Sequence, residues 1–186
     1  MRNQTTQSLI PLKRFSSTTE KPTILIVQAS FLTPNVYKSL RDCLEALGYS
    51  TVHPNLSVGR EAAPEELSYI YRQARGLPGG VIRLFYFRAF IFAEGQSVVG
   101  VFGESTREDI RIRRSAAYRC IPSTYLISDN DKAALLQLQE KFAANAGATV
   151  DRCAAGHSVM LNHPAILASK IAAVADEAMR SIEPKP

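Results

Sequence analysis

The chain has 186 residues, of which 46% are hydrophobic, and it carries a formal net charge of +5 at pH 7. This length and composition fit a single globular domain with its own apolar core, and they exclude a disordered or fibrous protein. The basic residues are scattered, and the densest group, residues 107–119, also contains Glu108 and Asp109. We interpret this group as a solvated face and expect no nucleic-acid partner.

The longest apolar run, residues 81–92, is interrupted by Arg83 and Arg88, which are its only charged residues. The run is too short for a membrane-spanning helix, which needs about 20 apolar residues. We therefore expect a soluble protein without a membrane partner.

The sequence offers few ligands for a metal and no disulfide framework. Cys43, Cys120 and Cys153 are widely spaced and odd in number, which fits neither a secreted disulfide framework nor a thiolate zinc site. His53 and His163 have no partner at metal-ligand spacing. We expect a reducing compartment, no metal and no cofactor.

Residues 1–21 differ in composition from the rest of the chain. They are rich in Ser and Thr and contain no acidic residue before Glu20, which is typical of a mitochondrial presequence. Pro11, however, interrupts the amphipathic helix that such a peptide needs. The segment is either a flexible tail of a cytoplasmic protein or a targeting peptide of a mitochondrial one, and in both cases the predicted domain is residues 22–183.

An alternation of strands and helices follows this segment. Residues 23–29 (TILIVQA) form a continuous aliphatic run, which predicts a central strand buried on both faces of a parallel sheet. Apolar residues at helical spacing predict a helix from Thr33 to Gly48. A short strand at 49–53 and a helix at 64–74 come next.

The second half of the chain continues this α/β alternation. Residues 80–92 predict a further strand, whereas residues 94–118 show weak periodicity, which favours a loop, either alone or with one short helix. The remaining predicted elements are a strand at 123–128, a helix at 131–146, a strand at 148–151 and a helix at 164–182.

Four segments resemble the α/β-hydrolase superfamily, in the order in which they occur there. Residues 122–131 (PSTYLISDND) are similar to the strand that presents the acid of the catalytic triad, and residues 155–164 (AGHSVMLNHP) to the loop that presents the histidine. Residues 22–34 (PTILIVQASFLTP) resemble the first strand and oxyanion turn of the esterase and hydroxynitrile-lyase-like branch, and residues 79–96 resemble the strand after its nucleophile. The resemblance covers most of residues 22–180.

The resemblance implies a parallel-sheet, three-layer α/β-hydrolase-like sandwich with a reduced sheet and a minimal lid. It places the acid and the base of the triad at Asp131 and His157. In such a pair the carboxylate accepts a hydrogen bond from one imidazole nitrogen, so that the other nitrogen can take the proton of the nucleophile. Gln28, Ala29 and Ser30 correspond to the oxyanion turn.

The residues themselves leave other interpretations of this pair open. Asp129 competes for the role of the acid, although the family acid usually lies directly before the helix, which favours Asp131. Asp131 also belongs to the residue types that commonly cap a helix. His157 follows Gly156 in a segment that is typical of a turn.

The segment that carries the nucleophile in this superfamily has no counterpart in the chain. The nucleophile stands in a Gly-x-Ser-x-Gly elbow on a strand-to-helix turn, and the sequence contains no such motif. Residues 55–78 leave room for a loop and one helix, but not for a further strand and its elbow. The serines nearest to the expected carboxyl edge, none of them on an elbow, are Ser30, Ser97, Ser105 and Ser158.

Without an elbow strand, the strand at 23–29 needs another neighbour, because unpaired buried backbone groups cost about 1–3 kcal/mol each. We predict that it pairs with the strand at 81–90. The result is one five-stranded parallel sheet in the order 49–53, 23–29, 81–90, 123–128, 148–151.

Three functions are compatible with a hydrolase-like domain that lacks an elbow. The first is a divergent or residual hydrolase or lyase that acts on a small ester or carbonyl compound through Asp131 and His157. The second is a non-catalytic module that binds a small molecule in the inherited pocket, and the third is an incomplete gene product of an active hydrolase. The partners to consider are a small-molecule substrate or ligand and, through self-association, a second copy of the chain.

Overall fold

The computed structural model describes residues 21–27, 32–53, 68–93, 96 and 117–182, and these ranges contain five strands and five α-helices. The strands are β1 (Ile24–Leu25), β2 (Thr51–Val52), β3 (Leu84–Phe87), β4 (Ser123–Ser128) and β5 (Thr149–Cys153). The helices are α1 (Lys38–Ala46), α2 (Tyr69–Ala74), α3 (Leu136–Ala146), α4 (Val159–Asn162) and α5 (Pro164–Ile182). The predicted α/β alternation is confirmed, whereas the predictions for residues 1–20 and for most of the loop at 94–118 lie outside the described residues.

All paired strands run parallel, and they form two separate sheets. In the two-stranded sheet β1 pairs with β2, with Leu25 opposite Val52. In the three-stranded sheet the order is β3-β4-β5, and β4 lies in the centre. The carboxyl ends of β3, β4 and β5 therefore meet at one edge of this sheet.

The predicted pairing of the first strand with the third is wrong within the described residues, because no ladder joins β1 to β3. Instead, Ser68 forms a parallel bridge with Val81, and the amide of Tyr69 donates a 2.9 Å hydrogen bond to the Val81 carbonyl. The two backbone segments lie so close together that a Cβ at Gly80 would be 2.6 Å from Cα of Tyr69, so only glycine fits there. The chain directly before α2 thus pairs with the segment that leads into β3.

Two hydrophobic cores lie on opposite faces of the three-stranded sheet. The first core packs against α1, α4 and α5 and includes Leu126, whereas the second core packs against α3 and includes Tyr125 and Ile127. Because both faces of β4 are covered, all six of its residues are buried. The two-stranded sheet packs on the first core only, through Ile24 and Ile26.

The two-stranded sheet consequently has one buried face and one exposed face. Ile26 is 6% exposed, whereas Leu25, Val27 and Val52 are 54%, 61% and 48% exposed. The prediction that the run at 23–29 is buried on both faces is therefore wrong for its described residues. Its aliphatic composition indicates a strand correctly, but no layer within the described part of the chain covers the second face.

The first predicted helix forms as a 3-10 turn at Pro34–Tyr37 that continues into α1. Its apolar spacing places Leu40 and Leu44 in the first core with no exposed surface. The second predicted helix is present as α2, and its first predicted residues, 64–67, lie outside the described residues.

The later predicted elements are all present, and the strand predicted at 148–151 is β5, Thr149–Cys153. The strand at 123–128 and the helix at 164–182 have the predicted bounds. The helix predicted from Asp131 begins instead at Leu136, because the Asp131 carboxylate binds the amides of the intervening turn. This helix ends as predicted at Gly147, which has a left-handed φ of 57°. The short helix α4 is not predicted by the sequence.

Two further properties concern the environment of the chain. Among the helices of the described ranges, none combines the length and the hydropathy that a membrane-spanning helix needs. The three cysteines are free thiols: Cys153 is buried, Cys43 is half-buried and Cys120 is exposed.

Candidate active site

The candidate site lies at the carboxyl edge of the three-stranded sheet, where the loops after β4 and β5 meet. The backbone amides of Asp129 and Asn130 donate hydrogen bonds of 2.9 and 3.0 Å to the carbonyls of Cys153 and Ala155. The side chain of Asn130 donates a further hydrogen bond of 3.3 Å to the carbonyl of Ala154. These bonds hold the loop of the predicted acid against the loop of the predicted histidine.

This arrangement brings Asp131 and His157 into direct contact. Nδ1 of His157 lies 2.8 Å from Oδ2 and 3.0 Å from Oδ1 of Asp131. An ionised carboxylate can only accept, so Nδ1 donates, and Nε2 of the neutral ring is left as the basic nitrogen. The Asp131 side chain is 1% exposed and that of His157 is 38% exposed, so the carboxylate is shielded while the imidazole reaches solvent.

The Asp131 carboxylate is stabilised by three donors. Its Oδ1 accepts from the amides of Ala133 and Ala134 at 2.8 and 2.9 Å, in addition to its contact with His157. Burial by itself raises the pKa of Asp131, but the hydrogen bonds from Ala134, His157 and Ala133 lower it by more, so the pKa lies below its ordinary value. Asp131 is therefore ionised at neutral pH and can fix the tautomer of His157.

The structure distinguishes between the two candidates for the acid. Asp129 faces Arg152, whose Nη2 and Nε donate to Oδ1 of Asp129 at 2.6 and 3.0 Å. The contact with His157 is made by Asp131. The interpretation of Asp131 as a cap is correct for the turn at 132–134 but not for α3, which starts later. That Asp131 and His157 act in catalysis stays a prediction.

Within the part of the chain that the structure describes, no nucleophile contacts this pair. Within the described residues, no hydrogen bond joins Nε2 of His157 to a serine, threonine or cysteine. Ser158 follows His157 in the chain, but their side chains form no hydrogen bond. Ser68 is buried beside Val81, upstream of β3, and so lies toward the opposite edge of the sheet. The predicted oxyanion residues and two further serines lie outside the described residues: Gln28, Ala29, Ser30, Ser97 and Ser105.

Arg88 is a residue at this edge for which the sequence predicts no role. It directly follows β3 and has a φ of 53°, the one positive φ among the described residues that are not glycine. Its Nη1 lies 3.2 Å from Sδ of Met160 in α4, and its buried Nε has no hydrogen-bond partner. The only signal in the sequence is a charge within an apolar run.

The described residues contain no group of three or more His, Cys, Asp or Glu side chains that could hold a metal ion. His53 packs edge-on against Tyr37, with 5.0 Å between the ring centroids. Burial, followed by the charge of Arg41, lowers the pKa of His53. His53 is therefore a neutral side chain that packs against an aromatic ring.

Comparisons with known proteins bear on the fold. No protein-family model matches the sequence, and no curated protein matches it. Two crystal structures of the pyrethroid hydrolase PytH match with TM-scores of 0.57 and 0.56 at 16% and 14% identity, each over 83% of this chain and 97% of the other. A pyrethroid hydrolase from Sphingobium faniae JZ-2 matches with a TM-score of 0.50 at 16% identity, over 76% of this chain and 92% of the other. Together with the parallel sheets flanked by helices, this likeness shows that the chain has an α/β-hydrolase fold with a reduced sheet.

Proposed function

We propose that this protein is a relative of small-molecule ester hydrolases and lyases that does not carry out serine-based acyl transfer. The observation that carries this proposal is the contact between Asp131 and His157 in a chain without a Gly-x-Ser-x-Gly motif. This contact is the one expected between the acid and the base of a triad, but the sequence lacks the element that presents the nucleophile.

The remaining pair can still move a proton. Because Asp131 holds Nδ1 of His157 as a donor, Nε2 can accept a proton from a bound molecule or from water and return it. In a serine hydrolase such a pair contributes about 10²–10⁴-fold by taking the proton of the nucleophile, and loss of the nucleophile costs about six orders of magnitude in turnover. Ester hydrolysis is therefore expected to stay near the background rate.

A second candidate function is a non-catalytic module that binds a small molecule in the hydrolase pocket. It is favoured by the second role of Asp131, which accepts the amides of Ala133 and Ala134 and so organises the turn before α3. In this role the Asp131 carboxylate stabilises the fold even if the protein converts no substrate. The two candidates differ in whether a bound ester is converted to product.

A serine-directed fluorophosphonate probe and an assay with p-nitrophenyl acetate test the proposal on the purified full chain. We expect no stoichiometric label. We also expect His157→Ala and Asp131→Asn to change ester hydrolysis by less than about threefold, because no nucleophile depends on them. Asp129→Asn is the matched control, since its carboxylate lies on the same loop but faces Arg152. Labelling of one serine, or a loss of about a hundredfold in His157→Ala, would show that a working nucleophile exists.

A further inference from the structure

The guanidinium of Arg88 is incompletely satisfied by the protein. A guanidinium carries five N–H donors, yet the structure gives Arg88 one contact, from Nη1 to the sulfur of Met160 at 3.2 Å. A thioether sulfur is a weak acceptor, and the buried Nε has no hydrogen-bond partner. Within the described residues the cation therefore has no anionic partner.

The backbone that carries Arg88 is also held in an unfavourable conformation. Its φ of 53° lies in the left-handed region, where the Cβ of an L-residue is crowded. The buried hydroxyl of Tyr125 donates a 2.8 Å hydrogen bond to the carbonyl of Ala89 and so holds the next residue in place. Backbone strain persists where the surroundings enforce it, and it concentrates at functional sites. Backbone strain and a buried Nε without a hydrogen-bond partner thus fall on the same half-buried arginine.

Arg88 belongs to the same edge of the sheet as the Asp131–His157 pair. It follows β3, which pairs with β4, and the loop that carries Asp131 leaves β4 at that edge. Met160, which the guanidinium contacts, lies in α4, the helix that begins two residues after His157. Tyr125, whose hydroxyl bonds the carbonyl of Ala89, has a pKa that is raised by burial and then by the charge of Asp131.

We infer that Arg88 binds a carboxylate group of a small molecule at this edge of the sheet, beside the Asp131–His157 pair, an inference that rests on the proposed function. Guanidinium and carboxylate are matched in shape and charge and form a bidentate pair of hydrogen bonds. The Asp131 carboxylate is already bound by His157 and two backbone amides. The expected ligand class is a small organic carboxylate.

Calorimetric titration of the full chain with 2-naphthoate and with methyl 2-naphthoate tests this inference. Because a charge-assisted pair contributes about 1.5–3 kcal/mol, or about tenfold or more in affinity, we expect naphthoate to bind at least about tenfold more tightly than its ester. Arg88→Gln should remove this preference. Arg83→Gln is the matched control, because Arg83 precedes the same strand at its other end and its loss removes the same charge. The control should keep the preference within about twofold.

Two further measurements keep the test decisive. Arg88→Lys, which keeps the charge but not the fork of donors, should recover only part of the preference. In the wild type, naphthoate should shift the NMR resonance of the Arg88 Nε–H group, and this measurement decides the matter if Arg88→Gln does not fold. The inference is overturned if the wild type binds acid and ester equally or binds neither, or if naphthoate leaves the Arg88 resonance unchanged. Labelling by the serine probe overturns the proposed function alone and leaves the naphthoate preference standing, so the two failures are distinguishable.

Discussion

Replacement of Asp131 measures how much the hydrogen bonds of the candidate site contribute to the free energy of unfolding. The buried carboxylate accepts the amides of Ala133 and Ala134 and Nδ1 of His157. Hydrogen bonds to a charged group contribute about 1.5–3 kcal/mol each, so Asp131→Ala, which removes three of them, should lower the free energy of unfolding by about 5 kcal/mol or more. Asparagine keeps an oxygen for the two amides, but as a neutral acceptor of about half the strength. Asp131→Asn should therefore cost about 2 kcal/mol.

This effect should depend on pH with a definite sign. The pKa of Asp131 in the folded protein lies below its ordinary value, so its contribution to stability is fully present above the unfolded pKa and is lost as the pH falls through the folded pKa. The difference in stability between the wild type and Asp131→Asn should be constant above about pH 5 and shrink below about pH 4.

Urea unfolding at several pH values measures both quantities. Asp129→Asn is the matched control, because its half-exposed carboxylate forms an ion pair with Arg152 and should contribute no more than about 1 kcal/mol. In addition, the NH₂ group of Asp131→Asn should favour the His157 tautomer with the proton on Nε2, which ¹⁵N NMR detects. A loss below about 0.5 kcal/mol in Asp131→Ala, or an unchanged tautomer in Asp131→Asn, would refute the reasoning.

Three other changes are expected to have measurable effects. Arg88→Gly should raise the free energy of unfolding by about 1 kcal/mol, since glycine accepts a φ of 53° and the buried Nε without a partner is removed; a loss of stability in urea would contradict this. Gly80→Ala should lower the free energy of unfolding by at least about 2 kcal/mol, because the new Cβ meets the backbone of Tyr69. Gly76→Ala is the control and should cost about half as much, because the space around its Cβ is open. Equal melting temperatures of the two variants would show that the backbone shifts to relieve the contact with Tyr69. Self-association through the exposed sheet face should weaken in Val27→Lys, as measured by light scattering.

Much of the candidate site could be predicted from local sequence. The strand at 123–128 and the helix at 164–182 have the expected bounds because an unbroken apolar run and a long helical periodicity are local signals. The loops that follow β4 and β5 must meet, because parallel neighbours end at the same edge. The resemblance to α/β-hydrolases then selects Asp131 and His157, and the structure brings them within 2.8 Å.

The sequence by itself thus determined the order of the elements, the parallel character of the sheet and the two residues that meet at its edge. Tertiary structure alone decided which surfaces are covered and which backbone groups pair. The aliphatic run at 23–29 indicates a strand equally well with one or two covered faces, and only packing leaves Val27 exposed. Likewise, nothing local in the sequence distinguishes Arg88 from Arg83. The left-handed φ of Arg88, its contact with Met160 and the bond from Tyr125 to Ala89 are set only in the folded chain, because Met160 and Tyr125 are distant in sequence.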